Sequence, residues 1–197
     1  MRDVVIIGGC GANLASLKFA LQRLGIDAPV TEEPARAAVA SHLILPGVGA
    51  AAPAMARLAS TGFAEAIPRF SQPLLGICLG MQLLFAGSAE ADTRCLGVIG
   101  AQIRRLPQGP DLPVPQMGWN KVEVTAPSKL LTGLEDGGYA YFVHSYAAPV
   151  GPYTRATADY GGPFSAIVEH GNFFGAQFHP ERSSRFGARL LENFLKL

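Results

Sequence analysis

A chain of 197 residues, 49% hydrophobic and 16% charged, is long enough to bury a large core and too apolar for a disordered or solvating polypeptide. A net charge of +1 argues against a nucleic-acid footprint or an attraction to anionic membranes, the nearest basic cluster being the pair Arg104-Arg105. Three cysteines without CxxC spacing, Cys10, Cys78 and Cys95, form neither a disulfide framework nor a zinc site and read as reduced thiols of a cytoplasmic protein.

In chain order, residues 4–8 are an apolar run closed by glycine, too short for a signal segment or a membrane span, and predict a first buried strand. Residues 13–24 place Leu14, Leu17, Leu21 and Leu24 at helical spacing, with Asn13 as N-cap and Gly25 just past the end. Gly9-x-Gly11 precedes this helix, but Leu14 stands where a dinucleotide fingerprint needs its third glycine, so that reading fails. Residues 42–46 predict a second strand ended by Pro-Gly, and 51–59 and 63–70 predict helices. A third strand is expected over 73–77, with a helix over 79–86 directly after it. This alternation predicts an α/β fold, a mostly parallel sheet covered on both faces by helices.

From about residue 96 the pattern becomes β-rich and is broken by Gly and Pro. Strands are expected at 122–125, 139–145, 154–160, 165–169 and 172–178, and a final amphipathic helix at 183–197. With no repeat and no linker, residues 1–197 read as a single domain.

The strongest local signal is Gly76-Ile77-Cys78-Leu79-Gly80, which follows an apolar strand and opens a helix. That is the glycine-flanked elbow of a nucleophile, with cysteine in place of serine. The glycines permit a sharp, strained turn, and the helix N-terminus favours a thiolate. A base and an orienter are available in His179-Pro180-Glu181: in an extended stretch, positions 179 and 181 share a face, so Glu181 can hold one imidazole nitrogen while the other faces Cys78. An oxyanion hole is expected from the backbone N–H of Leu79 and from Gly47 and Val48 of Pro46-Gly47-Val48-Gly49, whose glycines allow positive φ.

These segments resemble the class I, or triad, glutamine amidotransferases. The likeness is more particular to the glutaminase subunits of imidazole glycerol phosphate synthases in Met117-Gly118-Trp119-Asn120 and Phe142-Val143-His144-Ser145-Tyr146. Pro46-Gly47-Val48-Gly49 is particular in the same way, whereas the elbow and the His179-Pro180-Glu181 of Gly175-Ala176-Gln177-Phe178-His179-Pro180-Glu181 are shared across the wider superfamily. The resemblance implies a flavodoxin-like sheet, no cofactor or metal, and Cys78, His179 and Glu181 as a triad that hydrolyses L-glutamine. It implies that Gln82, one helical turn after Cys78, lines the glutamine pocket, that Glu90 meets the substrate's amino group, and that His144, Ser145 and Tyr146 meet its carboxylate end. It further implies a (β/α)8-barrel cyclase partner that receives the ammonia, with Asn13 and Trp119 at the interface. Family members often carry Asp-Tyr-Gly-x-Gly-Asn where this chain reads Gly8-Gly9-Cys10-Gly11-Ala12-Asn13. On the residues alone, a cysteine hydrolase with the same triad and another amidotransferase glutaminase stay open as alternatives.

Overall fold

The computed structural model describes residues 3–9, 14–134 and 136–197. Asn13 and Cys10 lie outside the described residues. The first half runs β1 (Val4–Ile7), α1 (Leu14–Gln22), β2 (Val30–Thr31), α2 (Pro34–Ala38), β3 (His42–Gly47), α3 (Ala51–Ser60), α4 (Phe63–Ala66), β4 (Leu74–Cys78) and α5 (Leu79–Leu83). The second half runs β5 (Phe85–Ser88), β6 (Thr93–Arg94), β7 (Ile99–Arg105), β8 (Gln116–Val124), β9 (Gly138–His144), β10 (Tyr146–Ala147), β11 (Thr154–Asp159), β12 (Pro163–His170), β13 (Phe173–Ala176) and α6 (Ser184–Phe194).

Among the described residues, nine strands form one sheet in the order β2-β1-β3-β4-β13-β12-β11-β8-β9. Its first five strands pair in parallel and its last four antiparallel. The late strand β13 returns to lie beside β4, so the β-rich second half extends the same sheet instead of forming a second domain's sheet.

Alternation along each strand divides the core between the two faces of the sheet. Val4, Ile6, Ile44, Leu75 and Ile77 point into the cluster that holds Leu17 and Leu21 of α1 and Leu190 and Phe194 of α6. Val5, Ile7, Leu43, Leu45 and Leu74 point the other way, toward Leu58, Phe63 and Met81 of α3, α4 and α5. Strands buried on both sides read as unbroken apolar runs, which is why β1, β3 and β4 stand out in the sequence. Each such aliphatic side chain contributes on the order of 2 kcal/mol by leaving water.

Several expectations need correction. The helix expected at 79–86 ends at Leu83, and Phe85 starts a strand of a small separate sheet ordered β10-β7-β5-β6. Phe85 is fully buried and meets the Tyr153 ring edge-on at 5.2 Å, while Gly87 sits so close to Gln102 that a Cβ would come within 2.7 Å of its side chain. Sheet pairing and this contact outweigh the local helical pattern. The strand expected at 122–125 is the end of β8, which begins at Gln116. The stretch 63–70 splits into α4 and a 3-10 turn over Ile67–Arg69, where Pro68 removes a backbone donor. No helix among the described residues is long and apolar enough to cross a membrane.

Candidate active site

The site is assembled at the carboxyl ends of three adjacent parallel strands. Gly47 at the end of β3 pairs with Cys78 at the end of β4, and Ala176 at the end of β13 pairs with Ile77. The chain beyond β13 carries Gln177 and His179 to the same edge, where open α/β sheets place their ligands.

Cys78 adopts φ 53° and ψ −112°, a left-handed conformation that costs a non-glycine residue about 1–3 kcal/mol. The surrounding backbone enforces it. A Cβ on Gly80 would lie 1.8 Å from Leu45 O, and one on Gly76 would lie 2.7 Å from Gly80 O and from Met81 backbone. Only glycine therefore lets α5 fold back onto β3 and β4. Cys78 Sγ faces Val143 O at 3.7 Å and Gln177 Nε2 at 3.8 Å, and Cys78 and His179 line the same cavity.

His179 Nδ1 lies 2.9 Å from Glu181 Oε1. The expected extended geometry is not what produces this pair. Pro180–Arg182 form a 3-10 turn with His179 as its N-cap, and the turn swings Glu181 back under the imidazole. Ser183 holds the turn: its hydroxyl donates to His179 O at 2.7 Å and accepts from Tyr141 N at 3.0 Å, while His179 N donates to Tyr141 O at 3.0 Å. Burial works to lower the His179 pKa, but the hydrogen bonds and charges of Cys78 and Glu181 outweigh it and raise it to about 10. Both neighbours, a sulfur on one side and a carboxylate on the other, favour the protonated imidazole. Glu181 Oε2 is buried and finds no hydrogen-bond partner among the described residues.

Cys78 and His179 open onto a cavity of about 240 Å³. Its walls include Val48, Leu79, Gln82, Glu90, His144, Ser145 and Tyr146. Every residue singled out for the substrate in the sequence lies on that wall. Gly47 does not; it lines a second cavity of about 170 Å³ that shares His179 with the first and is also lined by Glu181 and Arg182. The positive φ expected of the Pro-Gly loop belongs to Gly49, at 95°, whereas Gly47 is needed because a Cβ there would lie 2.9 Å from Gly80 N. Glu90 Oε2 accepts from Ala51 N at 2.7 Å, tying the cavity wall to the first turn of α3 just beyond that loop.

Gln82, His144 and Tyr146 of this wall belong to a polar network that continues behind it. Gln82 Nε2 donates to Tyr146 O at 2.7 Å and to Gln177 Oε1 at 2.9 Å. His144 Nδ1 lies 2.8 Å from Tyr146 O, and Nε2 lies 3.0 Å from the Gln116 side-chain amide. Burial depresses the His144 pKa to about 4, the Tyr146 hydrogen bond opposing it and His179 adding to it, so the ring is neutral at pH 7. Gln177 was not singled out in the sequence. The signal available was a lone polar side chain between Ala176 and Phe178 at the end of an apolar strand.

Trp119 is 55% exposed on β8, next to Met117 at 66% and near Tyr139 at 59% on the paired strand β9. The Trp119 and Tyr141 rings meet edge-on at 6.0 Å, and the Arg182 guanidinium lies 4.4 Å over the Tyr141 ring. This aromatic face adjoins the smaller cavity, because Arg182, stacked on Tyr141, and Val143, two residues further along β9, both line it.

The family model "Glutamine amidotransferase class-I" matches residues 10–197. The chain is 50% identical to the imidazole glycerol phosphate synthase subunit HisH of Vibrio cholerae, over 100% of this chain and 99% of that protein. It is likewise 50% identical to the HisH subunit of Xanthomonas euvesicatoria, over 100% of this chain and 98% of the relative. In fold it is similar to a solved glutamine amidotransferase with TM-score 0.76 at 23% identity, covering 98% of this chain and 97% of that one. A putative GMP synthase component from Thermoplasma acidophilum superposes with the same TM-score of 0.76 at 20% identity, over 100% and 93% of the two chains. An elbow cysteine sharing one cavity with a paired His179–Glu181, on a chain alike from end to end to these relatives, leaves one conclusion: the chain belongs to the class I glutamine amidotransferase family, in the branch of the HisH subunits of imidazole glycerol phosphate synthase.

Proposed function

We propose that this chain is the glutaminase subunit of an imidazole glycerol phosphate synthase in histidine biosynthesis. It hydrolyses L-glutamine to glutamate and ammonia, and hands the ammonia to a barrel-shaped cyclase that makes imidazole glycerol phosphate and aminoimidazole carboxamide ribotide. The observation that carries the reading is the Cys78–His179–Glu181 line at the mouth of a cavity sized for one amino acid.

In this reading the Cys78 thiolate attacks the side-chain amide carbon of glutamine. The developing oxyanion is met by the backbone N–H groups of Leu79 and Val48, which share the cavity with Cys78. The tetrahedral intermediate collapses as the protonated His179 gives its proton to the leaving nitrogen, which departs as ammonia and leaves a γ-glutamyl thioester. Neutral His179 then takes a proton from water as the hydroxyl attacks the thioester carbon. Collapse expels the Cys78 thiolate, releases glutamate, and leaves His179 protonated again. Glu181 keeps Nδ1 engaged throughout, which points the other ring nitrogen at the sulfur. Gln82, Glu90 and the 144–146 segment hold the amino-acid end of the substrate. The exposed aromatic face around Trp119 supports a partner docked beside the smaller cavity, since exposed Trp and Tyr clusters rimmed by arginine are typical anchors.

The test is glutamine hydrolysis by the chain alone, with a barrel cyclase, and with cyclase plus its ribotide acceptor. Stimulation that requires both additions is the expected result; equal activity in all three mixtures would place the chain in another amidotransferase branch.

A further inference from the structure

We propose that Gln177, outside the triad, is a positioning residue for the nucleophile: Gln82 and the Tyr146 carbonyl lock its side-chain amide so that an N–H points at Cys78 Sγ. The proposal rests on reading Cys78 as the nucleophile.

Gln177 directly follows β13, is fully buried, and donates its backbone N–H to Ala166 O at 2.9 Å. A buried side-chain amide must find partners for both its ends. The orientation of each amide here is dictated by chemistry. A carbonyl only accepts, so the Gln82 atom 2.7 Å from Tyr146 O is Nε2. The second proton on that nitrogen points at Gln177 2.9 Å away, and the atom receiving it must be Oε1. Gln177 Nε2 is then left facing Cys78 Sγ at 3.8 Å, a long N–H···S contact. Tyr146 O is anchored in turn by His144 Nδ1 at 2.8 Å, so the chain of donors starts from a fixed point.

The surroundings of Sγ explain why such a donor matters. Val143 O, 3.7 Å away, suits a thiol and repels a thiolate. His179 opposes that repulsion, backed by Glu181, while His144, Tyr146 and Glu90 line the shared cavity. His179 surrenders its proton to the leaving nitrogen partway through the cycle. The Gln177 amide cannot, so it remains a donor to sulfur in every state, including the moment when water attack expels the thiolate.

The experiment measures iodoacetamide labelling of Cys78 against pH by peptide mass spectrometry, together with glutamine turnover in the complex with the cyclase. Gln177→Met keeps the volume and removes the donor; Gln177→Glu keeps an acceptor for Gln82 and replaces the N–H with oxygen. Expected for both is labelling about tenfold slower near neutral pH, converging with wild type in strong alkali, and a kcat lowered about tenfold or more with KM for glutamine within about twofold. Should Gln177→Met fail to fold, Gln82→Met tests the lock from its other end and predicts a smaller slowing in the same direction. A folded Gln177→Met whose labelling profile and kcat match wild type overturns the proposal. Buried Cys95, whose pKa burial and Glu90 push up to about 11, is the internal control. If wild-type Cys78 labels no faster than Cys95 near neutral pH, the nucleophile reading itself fails, and this proposal with it.

Discussion

Around Cys78, in the parallel half of the large sheet, the site is shaped by backbone. A Cβ on Gly80, Gly76 or Gly47 would strike main-chain atoms within 3 Å, and the elbow exists because none is there. Beside the elbow, from α5 and the end of β13 to the antiparallel strands β8 and β9, the support is made of side chains: Gln82, Gln177, His144 and Gln116 hand hydrogen bonds from one to the next around Tyr146 O. The first kind of construction is rigid and fails by collision. The second can be retuned one group at a time, and it fails by leaving a buried group unpaired or charged.

The comparison breaks most visibly at Gly80. Gly80→Ala places a methyl 1.8 Å from Leu45 O and should cost about 3 kcal/mol or more, or prevent folding, in denaturant titration. Gly100→Ala on β7, where nothing lies within 4 Å of the new Cβ, should stay within about 0.5 kcal/mol. Equal effects at the two glycines would mean that the elbow is not held by backbone packing.

The side-chain wall should respond to pH. His144 has its folded pKa depressed from 6.5 to about 4, so between those values the unfolded chain binds a proton that the folded chain does not. Its contribution is fully present above about pH 6.5 and is lost as pH falls toward 4, up to ~3 kcal/mol. His144→Gln, measured by denaturant unfolding from pH 7 downward, should flatten that decline. An unchanged acid slope would show that the buried imidazole is not its source.

The smallest effect on the fold, and a selective one on assembly, is expected at Trp119. Trp119→Ala should leave the stability of the free chain within about 1 kcal/mol, since the ring is exposed, yet weaken cyclase binding by about 2 kcal/mol, roughly thirtyfold in Kd by titration calorimetry. Loss of stability without loss of binding would make Trp119 a packing residue.

Legibility in the sequence follows the same division. The elbow is readable because strain demands glycines at fixed local spacing around Cys78, and β1, β3 and β4 are readable because burial on both faces leaves continuous apolar runs. His179 and Glu181 are readable as a pair, but for a different geometric reason from the one expected: a 3-10 turn and not an extended strand joins them. The small sheet is hard to read because its strands are short and of mixed polarity, so Phe85 looks like the last turn of a helix. The first half of β8 is masked for a related reason. Met117 and Trp119 face solvent, while Gln116 turns inward to His144, the reverse of a half-buried strand. Gln177 is a long-range matter altogether, since its partners Gln82 and Cys78 are 95 and 99 residues away along the chain.

The central claim is that Cys78, at its strained elbow, carries glutamine chemistry and nothing else. Its most direct test is Cys78→Ala in complex with the cyclase, assayed for product with glutamine and, separately, with ammonium salt as the nitrogen source. The account predicts that glutamine-dependent formation falls to background while ammonia-dependent formation stays at the wild-type rate. Product formation from glutamine by the alanine variant would contradict it.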